Sequence, residues 1–308
     1  MVDLLASLRT GQRKALSEDQ VACYDENGYV LPALQAFSVE QAKAFRKELE
    51  AVEKAERQSA HQALSHGHVK YPWLCELARS PAILDAVEDL IGPNILIWGV
   101  SVFIKEPGSN SFIAWHQDCN YWGLTPFDGI VTAWVALSHV GTESGPMEFL
   151  RGSHLKDPEP QEDTYNPDNL LSRGQEIKWS APIEPSEVAK AAMRMGEFSL
   201  HHVKIAHASG VNRSDDRRIG VAIRYMPTCT RTERLEESAM LVRGADSFGN
   251  FTLEPLPTES SPEAKTSEQL KRSRQLKFDN TMEGYDDGML AKKQRLAAHR
   301  NQPVHLTL

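Results

Sequence analysis

The amino-acid sequence predicts a mainly β protein with flanking helices, of the α+β class: an antiparallel jelly-roll barrel backed by N-terminal helices. Three observations predict it. Helical patterns come first, within residues 17–91, and about eight short strand patterns follow. The apolar period changes to two at Asn94, the alternation of a strand. The strand patterns are separated by turns rich in Gly, Pro, Asn, Asp and Ser.

Residues 1–16 carry weak signals and are expected to form a loose arm or short helix. Ser17-Glu18-Asp19-Gln20 is a capping box: Ser17 caps a helix and Gln20 reaches back to it. That helix stops near Gly28, which can take the left-handed cap. Residues 29–31 read as a short strand ended by Pro32. Ser38-Val39-Glu40-Gln41 repeats the capping box. The helix after it runs to about Arg57, with Ala42, Phe45, Leu49 and Val52 on one face. Residues 58–71 contain His61, His66 and His68 and read as a solvated loop, since their spacing matches no closed metal site. Ser80-Pro81 opens a further helix, which Gly92-Pro93 ends.

Strands are expected at 95–104, 112–118, 130–138 and 147–150, with turns at 106–110 and 141–146. Residues 156–186, rich in Pro, Asp and Glu, form a long insertion of the kind often used as a lid. Strands are expected again at 196–199, 203–207 and 218–226. Signals weaken from about residue 235: a linker at 258–264, a short charged helix at 267–276, then a polar tail. The chain, 1–308, is read as one domain. Residues 1–93 are its helical support, 94–230 the barrel with the lid-like insertion, and 231–308 a C-terminal extension.

Hydrophobic residues make up 41% and charged residues 25%, a balance that can fill a sizeable core. The net charge of −8 offers no broad basic surface to nucleic acid or an anionic membrane. The expected partner is a small molecule. The N-terminus lacks the pattern of a signal peptide, and no run of about 18 apolar residues marks a membrane span. Four scattered cysteines without C-x-x-C spacing fit a reducing cytosol, so a cytoplasmic location is expected. Nothing in the sequence sets the oligomeric state.

The stretch Trp115-His116-Gln117-Asp118 is the one most suited to chemistry. On an extended strand alternate side chains share a face, so His116 and Asp118 point together and Gln117 points away. An imidazole and a carboxylate are two-thirds of the two-His-one-carboxylate triad that holds non-haem Fe(II). His139, His154, His201, His202 and His207 are the candidates for a third ligand. His207 has the better context, because it ends a strand pattern and precedes the turn Ala208-Ser209-Gly210-Val211-Asn212. Arg218 then opens a strand whose alternation places Arg218, Gly220, Ala222 and Arg224 on one face. An arginine beside two very small side chains leaves room for an anion, and it can bind a carboxylate with two parallel N–H bonds. A His-x-Asp strand, a later His and then an Arg is the order an iron and 2-oxoglutarate site requires.

These residues resemble the phytanoyl-CoA dioxygenase family of Fe(II)/2-oxoglutarate-dependent oxygenases. The matching pieces are Trp115-His116-Gln117-Asp118 with Tyr121-Trp122, and Thr132-Ala133-Trp134-Val135-Ala136-Leu137. Gly145-Pro146-Met147, Gly152-Ser153-His154, 207–214 and Arg217-Arg218 match as well. The likeness covers roughly residues 18–228. It implies a double-stranded β-helix, a cupin-like core. It implies iron held by His116, Asp118 and His207, with 2-oxoglutarate and O2 as cosubstrates. The far carboxylate of 2-oxoglutarate would sit on Arg218, with Ser209 and Trp134 in contact. Lys70 is the nearest candidate for a basic residue that helps hold the cosubstrate. Two positions depart from the family pattern, Arg151 before Gly-Ser-His and Ala208 after the distal His; neither removes a ligand. Related halogenases lack the acidic ligand, so Asp118 disfavours halogenation.

The expected reaction is hydroxylation of an unactivated C–H bond of a small metabolite, with release of succinate and CO2. Desaturation or another oxidative rearrangement in secondary metabolism would use the same site. Phe103, Asn120, Tyr121, Trp122 and His202 are candidate substrate contacts, with Cys119 and Met147 beside them. A non-oxygenase cupin-like metal-binding or isomerase barrel would bind metal but have no use for Arg218, Ser209 and Trp134. An interaction protein with a structural triad would form no succinate.

Overall fold

Ser17 and Ser38 both close the capping boxes that their sequences predict. The computed structural model describes residues 7–9, 11–232 and 237–257. Ser17 caps helix α1 (Glu18–Asn27), exchanging bonds of 3.2 and 2.8 Å with Gln20, and Gly28 ends it at φ 83°. Ser38 does the same for α2 (Val39–Glu56). A third long helix, α3 (Pro81–Ile91), starts on Pro81 and stops at Gly92. Near the N-terminus, the carboxylate of Asp89 in α3 accepts from the amides of Lys14, Ala15 and Leu16 at 2.8–3.1 Å.

The large sheet has seven strands in the order β1, β7, β4, β9, β2, β10, β11. In chain order they are β1 (Tyr29–Gln35), β2 (Ile95–Lys105), β4 (Val131–Ala136), β7 (Glu197–His202), β9 (Arg218–Pro227), β10 (Ser238–Arg243) and β11 (Thr252–Leu253). The small sheet has four strands in the order β3 (Ile113–His116), β8 (His207–Ser209), β5 (Met147–Leu150) and β6 (Val188–Ala191). Neighbours pair antiparallel except β10 with β11. Alternation in β9 sends Ile219, Val221, Ile223 and Tyr225 to the helical side, where they share one buried core with Leu49, Leu74, Val87 and Leu90. The opposite face of β9 looks towards the small sheet. The architecture is a double-stranded β-helix with helices behind its larger sheet.

Several details differ from the sequence-based expectations, each for a physical reason. The first strand runs through Pro32 to Gln35. β1 is an edge strand with a register shift between Val30 and Leu34, a place where a missing N–H breaks no ladder. Residues 58–71 are not a solvated loop. They form short helical turns at Ala60–Ala63 and Gly67–Val69, and His68 is fully buried. The motif strand stops at His116, and Asp118 (φ −62°, ψ −35°) instead leads a helical turn, Cys119–Trp122. Residues 203–206 are a buried turn, so His207 begins a strand instead of ending one. Ser238–Arg243 was not anticipated and pairs with β2.

The insertion 156–186 contains a hairpin of Gln161–Asp163 with Gln175–Ile177. It is tied to the motif strand: Phe112 donates to Asp168 O and Leu170 to Phe112 O. Gln117 adds a second tie. Its amide accepts from Glu159 N at 2.8 Å and donates to Lys204 O at 2.6 Å, while Gln161 donates to its carbonyl. The expected linker, short helix and tail between 258 and 308, and residues 1–6 of the expected arm, lie outside the described residues.

Candidate active site

The small sheet brings the proposed ligands together. β8 pairs with β3 so that His207 lies opposite His116, and their rings are 4.0 Å apart between centroids. Asp118 reaches the same point through its helical turn rather than through strand alternation. Ligand atoms of His116, Asp118 and His207 all lie within 4.8 Å of one another, a set that could hold one metal ion. Each imidazole is oriented by its own backbone. Nδ1 of His116 is 2.9 Å from Ala114 O, and Nδ1 of His207 is 3.0 Å from Ile205 O. A carbonyl only accepts, so each Nδ1 carries the proton and each Nε2 keeps its lone pair for a metal.

The electrostatics suit a divalent cation. Burial, then the neighbouring His116, pushes the His207 pKa down to about 4, which keeps it a neutral ligand. Burial pushes Asp118 up, but the close approach of the His116 and His207 rings and the charge of Arg224 outweigh it. The carboxyl is held well below its usual range and stays ionised. Neutral imidazoles with one carboxylate fit Fe(II).

At the other end of the pocket, Arg218 is completely buried. None of its three guanidinium nitrogens has a hydrogen-bond partner in the protein. Burial pulls its pKa down to about 9. The ring of Trp134 lies beside Arg218, with the guanidinium carbon 4.4 Å from the ring centroid. That ring lies over Gly220, where a Cβ would come within 1.7 Å of Trp134 Cζ2. A buried, unpaired cation lining an open pocket is the mark of a site for an anion, and a dicarboxylate cosubstrate fits it.

Lys105 completes this end and was missed from the sequence. It pairs with Arg218 in register across β2 and β9 and is fully buried. Its Nζ donates to Ser209 Oγ at 2.6 Å, to Ser209 O at 3.0 Å, and to Gly210 O. Burial, then the charge of Arg218, pushes its pKa down to about 6. The strand expected at 95–104 runs one residue further, to Lys105, and alternation puts Lys105 on the face of Phe103; its register partner is not visible in the sequence. Lys70, the basic residue expected to assist, is elsewhere: it is part-exposed and paired with Glu56 at 3.1 Å.

The pocket between the sheets encloses about 470 Å³ of empty space, solvent at its mouth included. Phe103, Trp134, Met147, Ser209 and Arg218 line it with the triad, as do Thr132, Leu171, His201 and Arg224, which the sequence reading did not assign. The other candidate contacts are placed off its lining. Asn120 is exposed and bonds to Glu159 O. Tyr121 lies under Arg173, and Trp122 is buried against Trp98. His202 faces a separate polar cleft with Tyr24, His154 and Lys204, because its neighbour His201 takes the pocket side of β7.

The family profile described as Phytanoyl-CoA dioxygenase (PhyH) matches residues 10–220. The L-proline trans-4-hydroxylase of Streptomyces griseoviridis is 27% identical over 66% of this chain and 83% of its own length. The peroxisomal phytanoyl-CoA dioxygenase of Homo sapiens is 25% identical over 70% of each chain. The probable alpha-ketoglutarate-dependent hypophosphite dioxygenase of Stutzerimonas stutzeri is 28% identical, and the match spans about half of that protein, 54%. Among solved structures, the apo form of the non-heme monooxygenase ThoJ superposes with a TM-score of 0.72 at 29% identity, covering 89% of this chain and all of that one. The alpha-ketoglutarate-dependent carbocyclase SnoK gives 0.56 at 25% identity, over 72% and 89%. With this fold, a His116-Asp118-His207 cluster and a buried Arg218 without hydrogen-bond partners, the chain belongs to the phytanoyl-CoA dioxygenase family and is an Fe(II)/2-oxoglutarate-dependent dioxygenase, using 2-oxoglutarate and O2.

Proposed function

We propose that this enzyme hydroxylates an unactivated C–H bond of a small-molecule metabolite while splitting 2-oxoglutarate into succinate and CO2. One observation carries the reading: a two-His-one-carboxylate cluster and a fully buried arginine without an acceptor share one pocket. A sugar-binding or isomerase barrel has no use for the second feature.

In this reading His116, Asp118 and His207 would hold the iron. Bound iron with 2-oxoglutarate and O2 supplies the oxidising power for C–H cleavage. The protein's own residues do the rest. The two Nδ1–H bonds fix the imidazoles before metal arrives. Arg218 takes the far carboxylate of 2-oxoglutarate, with Ser209 and the Trp134 face beside it. Phe103, Met147 and Leu171 give the chamber apolar walls that limit water near the reacting carbon. The described site residues fall between 103 and 224, which supports reading 94–230 as the catalytic part of a single domain. A cytoplasmic location belongs to the same proposal, supported by four free cysteines. Among the described residues no helix is long and apolar enough to cross a membrane.

The test begins without substrate. Anaerobic Fe(II) and 2-oxoglutarate should give a weak visible charge-transfer band in the wild type and none in Asp118→Ala. A screen of metabolites then follows succinate and product mass: gain of one oxygen atom marks hydroxylation, and loss of two hydrogens marks desaturation. No band in folded wild-type protein would refute the assignment.

A further inference from the structure

The inner face of the large sheet carries two polar rows. At one end Arg218 lies opposite Lys105. At the other, Arg224 lies opposite Thr132, and Thr132 lies opposite His201. The two arginines lie six positions apart on β9, about 20 Å of extended backbone. The first row is the proposed seat of 2-oxoglutarate. Apart from the charge of Arg224 on Asp118, the second has no role in anything described so far.

The second row carries buried polar atoms without partners. Arg224 Nη1 donates to Ser101 Oγ at 2.6 Å and, more loosely, to Ala222 O at 3.5 Å. Its buried Nε has no partner, nor do the buried Thr132 Oγ1 and His201 Nδ1. The Trp122 ring flanks the guanidinium, 5.5 Å away. All three row members line the same pocket as the triad. The His201 and His207 rings are 5.0 Å apart, so a group held here lies within a few bonds of the metal ligands.

Charge says what that group is. Asp118 is the one carboxylate among the lining residues, against two arginines. A divalent iron and a dianionic 2-oxoglutarate cancel each other, and Asp118 offsets one arginine. One positive charge is left in the loaded chamber, and a protonated Lys105 only adds to it. A buried charge without a counter-ion is strongly unfavourable. A monoanion removes the excess, and an arginine fork suits a carboxylate. We propose that Arg224, Thr132 and His201 form the substrate-recognition row and that the substrate is a small monocarboxylic acid. The proposal rests on the reading of the triad and Arg218 as the iron and 2-oxoglutarate site.

The test uses protein loaded anaerobically with Fe(II) and 2-oxoglutarate. The probes are monocarboxylic acids of amino-acid size, each beside its own carboxamide, and the readout is perturbation of the visible band. Acids should bind at least about tenfold more tightly than their amides. Arg224→Gln should erase that preference. Thr132→Val, a milder change, should weaken the acids alone by about threefold. The affinity of each folded variant for 2-oxoglutarate, measured without acid, should stay within about threefold of wild type, since Arg218 is untouched. Amides that bind as well as acids would overturn the proposal, as would a panel in which no acid binds. Loss of the iron and 2-oxoglutarate band in Arg224→Gln would overturn it differently, making Arg224 a positioning residue for Asp118. Absence of the band in wild type would bring down the underlying reading along with it.

Discussion

Adding one methyl group at Gly220 tests how the anion end is built. The backbone there is an ordinary strand, so Gly220→Ala brings no conformational penalty of its own. The cost is contact: the new Cβ would come within 1.7, 2.2 and 2.4 Å of Trp134 Cζ2, Cε2 and Cη2. A rigid indole buried between sheets and beside Arg218 cannot swing aside like the end of a flexible chain. Overpacking of this kind costs about 1–3 kcal/mol, which lowers the melting temperature by several degrees in a chain of this size. Trp134→Val removes the obstacle and has its own cavity cost of about 3–5 kcal/mol. In that background Gly220→Ala should become nearly neutral. The double-mutant cycle should therefore show a coupling of about 1–3 kcal/mol. The assay is urea unfolding of the four proteins, followed by 2-oxoglutarate titration of each; Gly220→Ala alone should also weaken 2-oxoglutarate, because a displaced indole enters the space before Arg218. A methyl equally harmless with and without Trp134, in a protein binding 2-oxoglutarate normally, would refute this account of the floor.

Two further predictions concern buried charge. The folded pKa of Lys105, about 6, lies below its ordinary value of 10.5, so between them the unfolded chain holds the extra proton. Stability of the metal-free protein should therefore rise with pH from about 6 towards 9, by up to about 1.4 kcal/mol per unit from this group. Lys105→Met should flatten that rise in urea unfolding at stepped pH, with Arg218 and Glu148 the charges facing it; parallel pH curves for the two proteins would contradict the placement. Asp89→Ala should release the segment 14–16, lowering stability by about 1–3 kcal/mol through amides left unpaired and speeding proteolysis there, whereas intact protection would show that the segment is held by other contacts.

Much of this was legible because local chemistry and tertiary structure agree. Two capping boxes and two glycine or Gly-Pro stops set the long helices, and alternation in β9 separated its core face from its pocket face correctly. The triad also came together, yet for Asp118 the route differed from the reasoning. Strand alternation was extended two residues too far, and the four-residue turn after Asp118 is too short to announce itself, since a single helical turn is not stable alone. The run 203–206 misled for another reason. A short apolar run predicts a strand, but Val203, Ile205 and Ala206 are buried in a packed turn instead. Lys105 and the Arg224 row were invisible in a different sense. Their side-chain faces could be read from alternation, but their importance lies in which residue sits opposite on the next strand, and register is long-range information. Among histidines, periodicity could not tell His201 from His202 as the one facing the pocket until the β7 pairing was in hand.

Gln117 sits between two ligands and serves neither of them directly. Its single amide joins the insertion at Glu159 to the segment that leads into His207. The insertion is therefore tied to the backbone on both sides of the ligand cluster. Any motion large enough to part Glu159 from Gln117 pulls on the backbone between His116 and Asp118, so loosening the cover and loosening the grip on the metal become one event. Position 117 then answers to the insertion rather than to the iron, and a different residue there would need a different insertion to hold.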